Sequence, residues 1–86
     1  MKGVKTVLMI INPVSGRNTM RLKLWEVLNI LSNSNVSAQI LFTGKRGDAF
    51  EFAKNCPATI KTIICVGGDG TLNEVISGIM ENPHPH

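Results

Sequence analysis

Apolar residues run almost without interruption from Val4 to Ile11, and the run breaks at Asn12-Pro13. A continuous aliphatic and β-branched run of this length fits a strand covered on both faces of a parallel sheet. Pro13 ends it, and Ser15-Gly16 reads as a loop. From Thr19 to Leu31 the period changes. Met20, Leu24, Val27, Leu28 and Leu31 share one stripe while Arg21, Lys23, Glu26 and Asn29 face away, which predicts an amphipathic helix. Ser32-Asn33-Ser34-Asn35 stops it. Val36 to Thr43 alternates residue by residue, with Val36, Ala38, Ile40 and Phe42 on one face of a second strand. Gly44-Lys45-Arg46-Gly47 is a loop, Asp48 is the expected N-cap of a short helix to Cys56, and Pro57 closes that helix. Ile60 to Val66 reads as the third strand and Gly67 to Gly70 as a turn. Thr71 to about Met80 is the third helix, with Leu72, Val75, Ile76, Ile79 and Met80 as its apolar face.

Strands alternating with helices imply a parallel sheet with right-handed crossovers, hence a three-layer α/β/α open sheet of three βα units. The chain holds no internal linker, no fixed-period repeat and no low-complexity tract. Its 86 residues make one small domain, and a chain of that size buries only about 60–65% of the surface it exposes when unfolded. Three strands leave an open edge and the third helix has little to pack against. The ending Pro83-His84-Pro85-His86 follows that helix directly, so a truncated chain is the expectation.

Composition narrows the classes. With 43% hydrophobic and 17% charged residues the chain is globular, and its net charge of +3 is a mild excess. Lys45-Arg46 is the one adjacent basic pair, which argues against a nucleic-acid stripe and leaves attraction to anionic phosphate or a lipid surface. Cys56 and Cys65 form no CxxC pair and read as packing residues of a reducing cytoplasm. No stretch approaches the roughly 20 apolar residues of a membrane span. Lys2 and Lys5 before Val7 to Ile11 imitate a signal peptide, but the apolar core is short and Asn12-Pro13 replaces a cleavage site.

The most informative segment is Gly67-Gly68-Asp69-Gly70-Thr71, at the C-terminal end of a strand and the start of a helix. Open α/β sheets bind ligands at that end. Glycines let backbone approach a bulky anion, and the free N–H groups and dipole of the helix start favour phosphate there. Thr71 adds a hydroxyl donor. Asp69 beside phosphate is repulsive unless a cation bridges the two or it handles a proton, which points to phosphoryl transfer with Mg²⁺. A P-loop is excluded, because no lysine and following hydroxyl stand in the required place. A dinucleotide GxGxxG fails because Asn73 stands at the last glycine. The loop after the first strand, Asn12-Pro13-Val14-Ser15-Gly16-Arg17, offers polar contacts, a close approach and a planar cation. If the first and third strands are neighbours, in order 2-1-3, both loops face one crevice.

These residues closely resemble the diacylglycerol kinase catalytic-domain family, which includes bacterial lipid kinases and sphingosine kinases. The resemblance covers nearly the whole chain. It rests on Asn12-Pro13-Val14-Ser15-Gly16, on Thr43 with Gly47-Asp48-Ala49, and on Gly67-Gly68-Asp69-Gly70-Thr71-Leu72-Asn73-Glu74-Val75. NAD kinases and phosphofructokinases share the GGDG core, whereas the continuation Leu-Asn-Glu-Val looks like the lipid kinases. The resemblance implies a phosphofructokinase-like or Rossmann-like sheet in which residues 1–86 are the N-terminal part of the nucleotide-binding domain. Asn12, Pro13, Val14, Ser15, Gly16, Thr43, Gly67, Gly68, Asp69, Gly70, Thr71, Leu72 and Asn73 would line the ATP site. Glu74 orients the loop or is an exposed helix-start glutamate. Lys45 and Arg46 read as a solvated loop, with phosphate or lipid headgroups as the alternative contact.

The implied activity is transfer of the ATP γ-phosphate, with Mg²⁺, to a lipid hydroxyl at a membrane surface, by a cytoplasmic protein peripheral to the membrane. Family members carry the lipid pocket, proton acceptor and most metal ligands in a β-rich domain that this chain lacks. The catalytic residue is therefore expected outside it, and the 86 residues alone are expected to be inactive. An NAD kinase-like phosphotransferase and a catalytically silent nucleotide-binding module are the alternatives. Homodimer formation is left open, and His84 and His86 read as a disordered tail.

Overall fold

The structure, a computed structural model, describes residues 5–13 and 17–84, and for 17–23 the backbone alone. Val4, Val14, Ser15, Gly16 and His86 lie outside the described residues, as do the side chains of Arg17, Met20, Arg21 and Lys23. The elements are β1 (Lys5–Ile11), α1 (Arg17–Asn33), β2 (Val36–Phe42), α2 (Asp48–Lys54), β3 (Ile63–Val66) and α3 (Asp69–Glu81). The strands form one parallel sheet in the order β2-β1-β3. The path from β1 to β2 runs one way along the sheet, and the path from β2 to β3 runs back across β1. Right-handed crossovers in opposite directions put α1 on one face and α2 and α3 on the other. The predicted α/β layer fold and the 2-1-3 order are what the chain adopts.

β1 is the spine. Val7 to Ile11 are all buried, and Leu8, Met9, Ile10 and Ile11 almost completely. Successive side chains point to opposite faces. Leu8 and Ile10 pack with Ala49, Ala53, Cys56, Ile60 and Val75 under α2 and α3. Val7, Met9 and Ile11 point the other way, which is why the run is continuous instead of alternating. Cys56 is buried and Cys65 half-buried, and both are free. Burial raises both thiol pKa values and keeps them protonated, in line with packing roles.

Several boundaries and faces differ from expectation. β3 starts at Ile63, not Ile60, because the Ile60 N–H is used in a turn onto the Pro57 carbonyl at 3.1 Å. The sheet ladder begins only at Thr62, whose carbonyl accepts from the Leu8 N–H at 3.0 Å. α1 runs from Arg17 to Asn33, beyond the expected Thr19–Leu31. Asn35, in the left-handed region at φ 61, marks its end. Phe42 is 56% exposed, at the end of the edge strand β2. α2 ends at Lys54, and its N-cap is Gly47 at φ 95, not Asp48.

α3 packs through part of its predicted face, with Val75 buried and Ile79 against the core, but turns away from the rest. Thr71, Val75 and Gly78 are buried, whereas Leu72, Ile76 and Met80 are exposed. Gly78 explains the choice, because it lets α3 lie directly on the backbone of α2. Asn82, just past α3, donates its side-chain amide to the carbonyls of Ala53 (2.8 Å) and Cys56 (3.1 Å). The Cys56 carbonyl lies just past α2, and the Ala53 carbonyl, in its last turn, also accepts from the Cys56 N–H at 3.3 Å. Asn82→Ala removes both bonds and is expected to cost about 1–2 kcal/mol, read by urea denaturation with the m-value unchanged.

Candidate functional site

The C-terminal ends of the three strands deliver three loops to one place. The ladder continues one residue past the strands on both sides of β1. The Asn12 N–H donates to the Val66 carbonyl at 2.9 Å, and the Thr43 N–H donates to the Ile11 carbonyl at 2.8 Å. These bonds set Asn12 and Thr43 side by side above the sheet. From there the Asn12 Nδ2 donates to the Thr71 Oγ1 at 3.0 Å, tying the loop after β1 to the first turn of α3. Thr71 is buried. Its hydroxyl accepts from Asn12, so its own proton is available for donation. Gly67 makes room for this arrangement: a Cβ there would stand 2.9 Å from the Thr71 Cβ and Oγ1.

Above these bonds lies a crevice of about 390 Å³. Asn12, Gly68, Gly70, Thr71 and Glu74 line it from the ends of β1 and β3 and from α3. Thr43 to Arg46 with Ala49 line it from the loop after β2 and the start of α2. α3 starts after Gly68, with the Leu72 N–H bonded to the Gly68 carbonyl at 3.0 Å. The earlier N–H groups have no carbonyl within the helix to bond. Among the described residues no side-chain cap closes this end, and Gly68, Gly70 and Thr71 bring its donors and positive dipole end to the crevice. A Cβ placed on Gly70 would meet nothing within 4 Å. Among the described residues no contact explains the glycine there.

The opposite wall is basic and held by two carboxylates. Asp48 turns back from the start of α2. Its Oδ2 accepts from the N–H groups of Gly44 (2.7 Å) and Lys45 (3.0 Å), and its Oδ1 lies 3.8 Å from the Lys45 Nζ. The Gly44 N–H, with the Lys45 N–H and ammonium, pulls the Asp48 pKa down despite some desolvation. A lowered carboxylate stabilises the folded loop above the ordinary value of 3.8, and that contribution fades as pH falls through the lowered value. From α3, both Glu74 carboxylate oxygens accept from the Gly47 N–H, at 3.1 and 3.2 Å.

Of the residues picked out in the sequence, Asn12, Thr43, Gly68, Gly70 and Thr71 come together on the crevice walls, with Gly67 packed beneath Thr71. Pro13, Asp69, Leu72 and Asn73 are exposed and do not line it, while Val14, Ser15 and Gly16 lie outside the described residues. Asp69 and Gly70 belong to the first turn of α3 instead of a preceding loop. Glu74 is half-buried and holds the loop, which removes the exposed-glutamate alternative. Lys45 and Arg46 are exposed but line the crevice as well. Gly44 was not anticipated as a site residue, and Ala49 only as part of the Gly47-Asp48-Ala49 motif. His84 is exposed beyond the far end of α3, its N–H bonded to the Asn82 Oδ1 at 2.7 Å. Among the described residues no group of three or more His, Cys, Asp or Glu is placed to hold a metal ion. Nor is any described helix long and apolar enough to cross a membrane.

Fold and site together define an open α/β protein with an anion-suited crevice at the point where the strand order reverses. The family model described as "Diacylglycerol kinase catalytic domain" matches residues 6–86. The chain belongs to that family of lipid kinases. It is 40% identical over 81 residues to a diacylglycerol kinase of Staphylococcus saprophyticus, covering 93% of this chain and 27% of that protein. It is 38% identical over 80 residues to the diacylglycerol kinase of Staphylococcus carnosus, covering 92% and 26%. Against the diacylglycerol kinase of Staphylococcus aureus strain JH9 it is 36% identical over 81 residues, covering 93% and 26%. The chain thus spans about a quarter of the length of the curated relatives it matches.

Proposed function

We propose that this chain supplies the ATP-binding crevice of a kinase that transfers the γ-phosphoryl group, with Mg²⁺, to the hydroxyl of a lipid such as diacylglycerol. The observation that carries this reading is the space over Gly70, at an uncapped helix start that also lines the crevice. A phosphate in that space would accept from the N–H groups of the first turn of α3, and from the Thr71 hydroxyl that Asn12 orients. Lys45 and Arg46 would face the outer phosphates across the crevice. Pro13 to Gly16, Asp69, Leu72 and Asn73 complete the proposed nucleotide contacts.

Mg²⁺ is held in such sites by one or two carboxylates together with phosphate oxygens, so a dedicated cage of ligands is not needed. Asp69, exposed in the first turn, fits that habit as the carboxylate that would meet metal and phosphate at the rim. The metal supplies charge neutralisation on the phosphates when bound. The acceptor's proton would be taken by a residue outside this chain, and the lipid would be met at the cytoplasmic surface of a membrane.

The test is phosphoryl transfer from ATP by a polypeptide containing this chain, offered diacylglycerol and NAD as separate acceptors. Phosphorylated diacylglycerol is the expected product. Turnover of NAD alone would replace the lipid reading with an NAD kinase-like one, and Mg-ATP binding without turnover of either would leave a silent nucleotide-binding module.

A further inference from the structure

The loop between β2 and α2 places Lys45 and Arg46 on the crevice wall, yet three of its backbone donors are already taken. The N–H groups of Gly44 and Lys45 go to Asp48, and that of Gly47 goes to Glu74. What this loop offers an anion is therefore mainly side-chain charge, with the Arg46 N–H as its one amide without a partner among the described residues. Gly47 is the swivel: at φ 95 it turns the chain into α2 and aims its N–H at α3. The bond it makes spans 27 residues and is the hydrogen bond found between this loop and α3 among the described residues.

A glutamate on the wall of an anion site is unfavourable by charge alone. Its place there is explained by what it holds. We propose that Glu74 is a positioning residue, whose carboxylate latches Gly47 to α3 and so keeps the Lys45-Arg46 loop facing a polyphosphate ligand in the crevice. The inference rests on the polyphosphate reading of the site. It adds a prediction that a metal ligand or a merely structural residue would not share. Glutamine keeps an acceptor for the Gly47 N–H and removes the negative charge, so it replaces glutamate well. Alanine releases the loop and does not.

The experiment compares the chain with its Glu74→Ala, Glu74→Gln and Lys45→Ala/Arg46→Ala variants by calorimetric titration with Mg-ATP and with AMP. Glu74→Ala is expected to weaken Mg-ATP about tenfold and AMP by less than about threefold. Glu74→Gln should stay within about threefold of the unmodified chain or bind more tightly. Adding Glu74→Ala to the double variant should cost little more, because the loop's charges are already gone. Unchanged Mg-ATP affinity in Glu74→Ala, equal losses for Mg-ATP and AMP, or a Glu74→Gln as weak as Glu74→Ala would each overturn the inference.

Amide exchange at Gly47 separates this inference from the nucleotide reading. If the unmodified chain takes no Mg-ATP, the ATP site is refuted. Faster Gly47 exchange in Glu74→Ala would then still sustain the latch, and unchanged exchange would refute it too.

Discussion

Gly78→Ala is expected to destabilise the chain by about 1–3 kcal/mol, against the usual direction for glycine inside a helix. By propensity alone the change should gain up to about 1 kcal/mol. The added Cβ would stand 2.4 Å from the Phe50 carbonyl oxygen, 2.8 Å from the Ala53 Cβ and 3.0 Å from the Lys54 N. Two of those three atoms are backbone, so no side chain can swing away and α3 must lift off α2. That movement would also strain the Asn82 bonds at the other end of the contact. For a domain of this size each kcal/mol lowers the melting temperature by about 4–8 °C. Thermal melts of Gly78→Ala and Gly70→Ala make the comparison internal. Both replace glycine by a better helix former, but among the described residues an added Cβ meets other atoms only at Gly78, so Gly70→Ala should melt at or above the unmodified chain. A Gly78→Ala variant that melts higher would show that α2 and α3 are not packed this closely.

Gly70→Val is expected to do the opposite: leave the fold standing and empty the site. Among the described residues the side chain meets no atom within 4 Å of its Cβ, so folding supplies no penalty beyond a weak β-branched preference in the first helical turn. It projects beside the uncapped N–H groups of α3 and into the crevice shared with Thr71 and Lys45. A phosphate held there would have to retreat past hydrogen-bonding distance. Loss of the charge-assisted bonds predicts a fall in Mg-ATP affinity of at least about tenfold.

How much of this was legible before the structure depends on the range of each interaction. The strands could be read, because β1 is apolar on both faces and β2 alternates, and the order 2-1-3 is favoured on the condition that the loops after β1 and β3 share one crevice. The meeting of Asn12 with Thr71 joins residues 59 apart. It follows from that order, not from anything local to either residue. The face of α3 was legible only in part: Val75 and Ile79 pack as expected, but Leu72, Ile76 and Met80 form as regular a stripe as the one that is buried. The decision lay with Gly78, whose missing side chain lets two backbones touch, and apolar periodicity gives a glycine no weight. Asp48 shows the same limit at short range. Aspartate before a helix predicts a cap, but with Gly47 already in the left-handed region the carboxylate closes the preceding loop instead. Ile60 is buried and yet lies outside the strand expected to start at it, because Pro57 captures its N–H in a turn. In the site, the walls built on strand ends were foreseen, and the carboxylate latch from Glu74 to Gly47 emerged only once the tertiary contact was visible.

The central claim is that the crevice over Gly70 receives the phosphates of a nucleotide. It is tested most directly by titrating Mg-ATP into the chain and into Gly70→Val, with thermal melts of both. The account predicts saturable binding to the unmodified chain and at least about a tenfold loss in Gly70→Val at an unchanged melting temperature. Equal affinity in the two proteins would contradict it, because a ligand indifferent to a valine at that position cannot be held there.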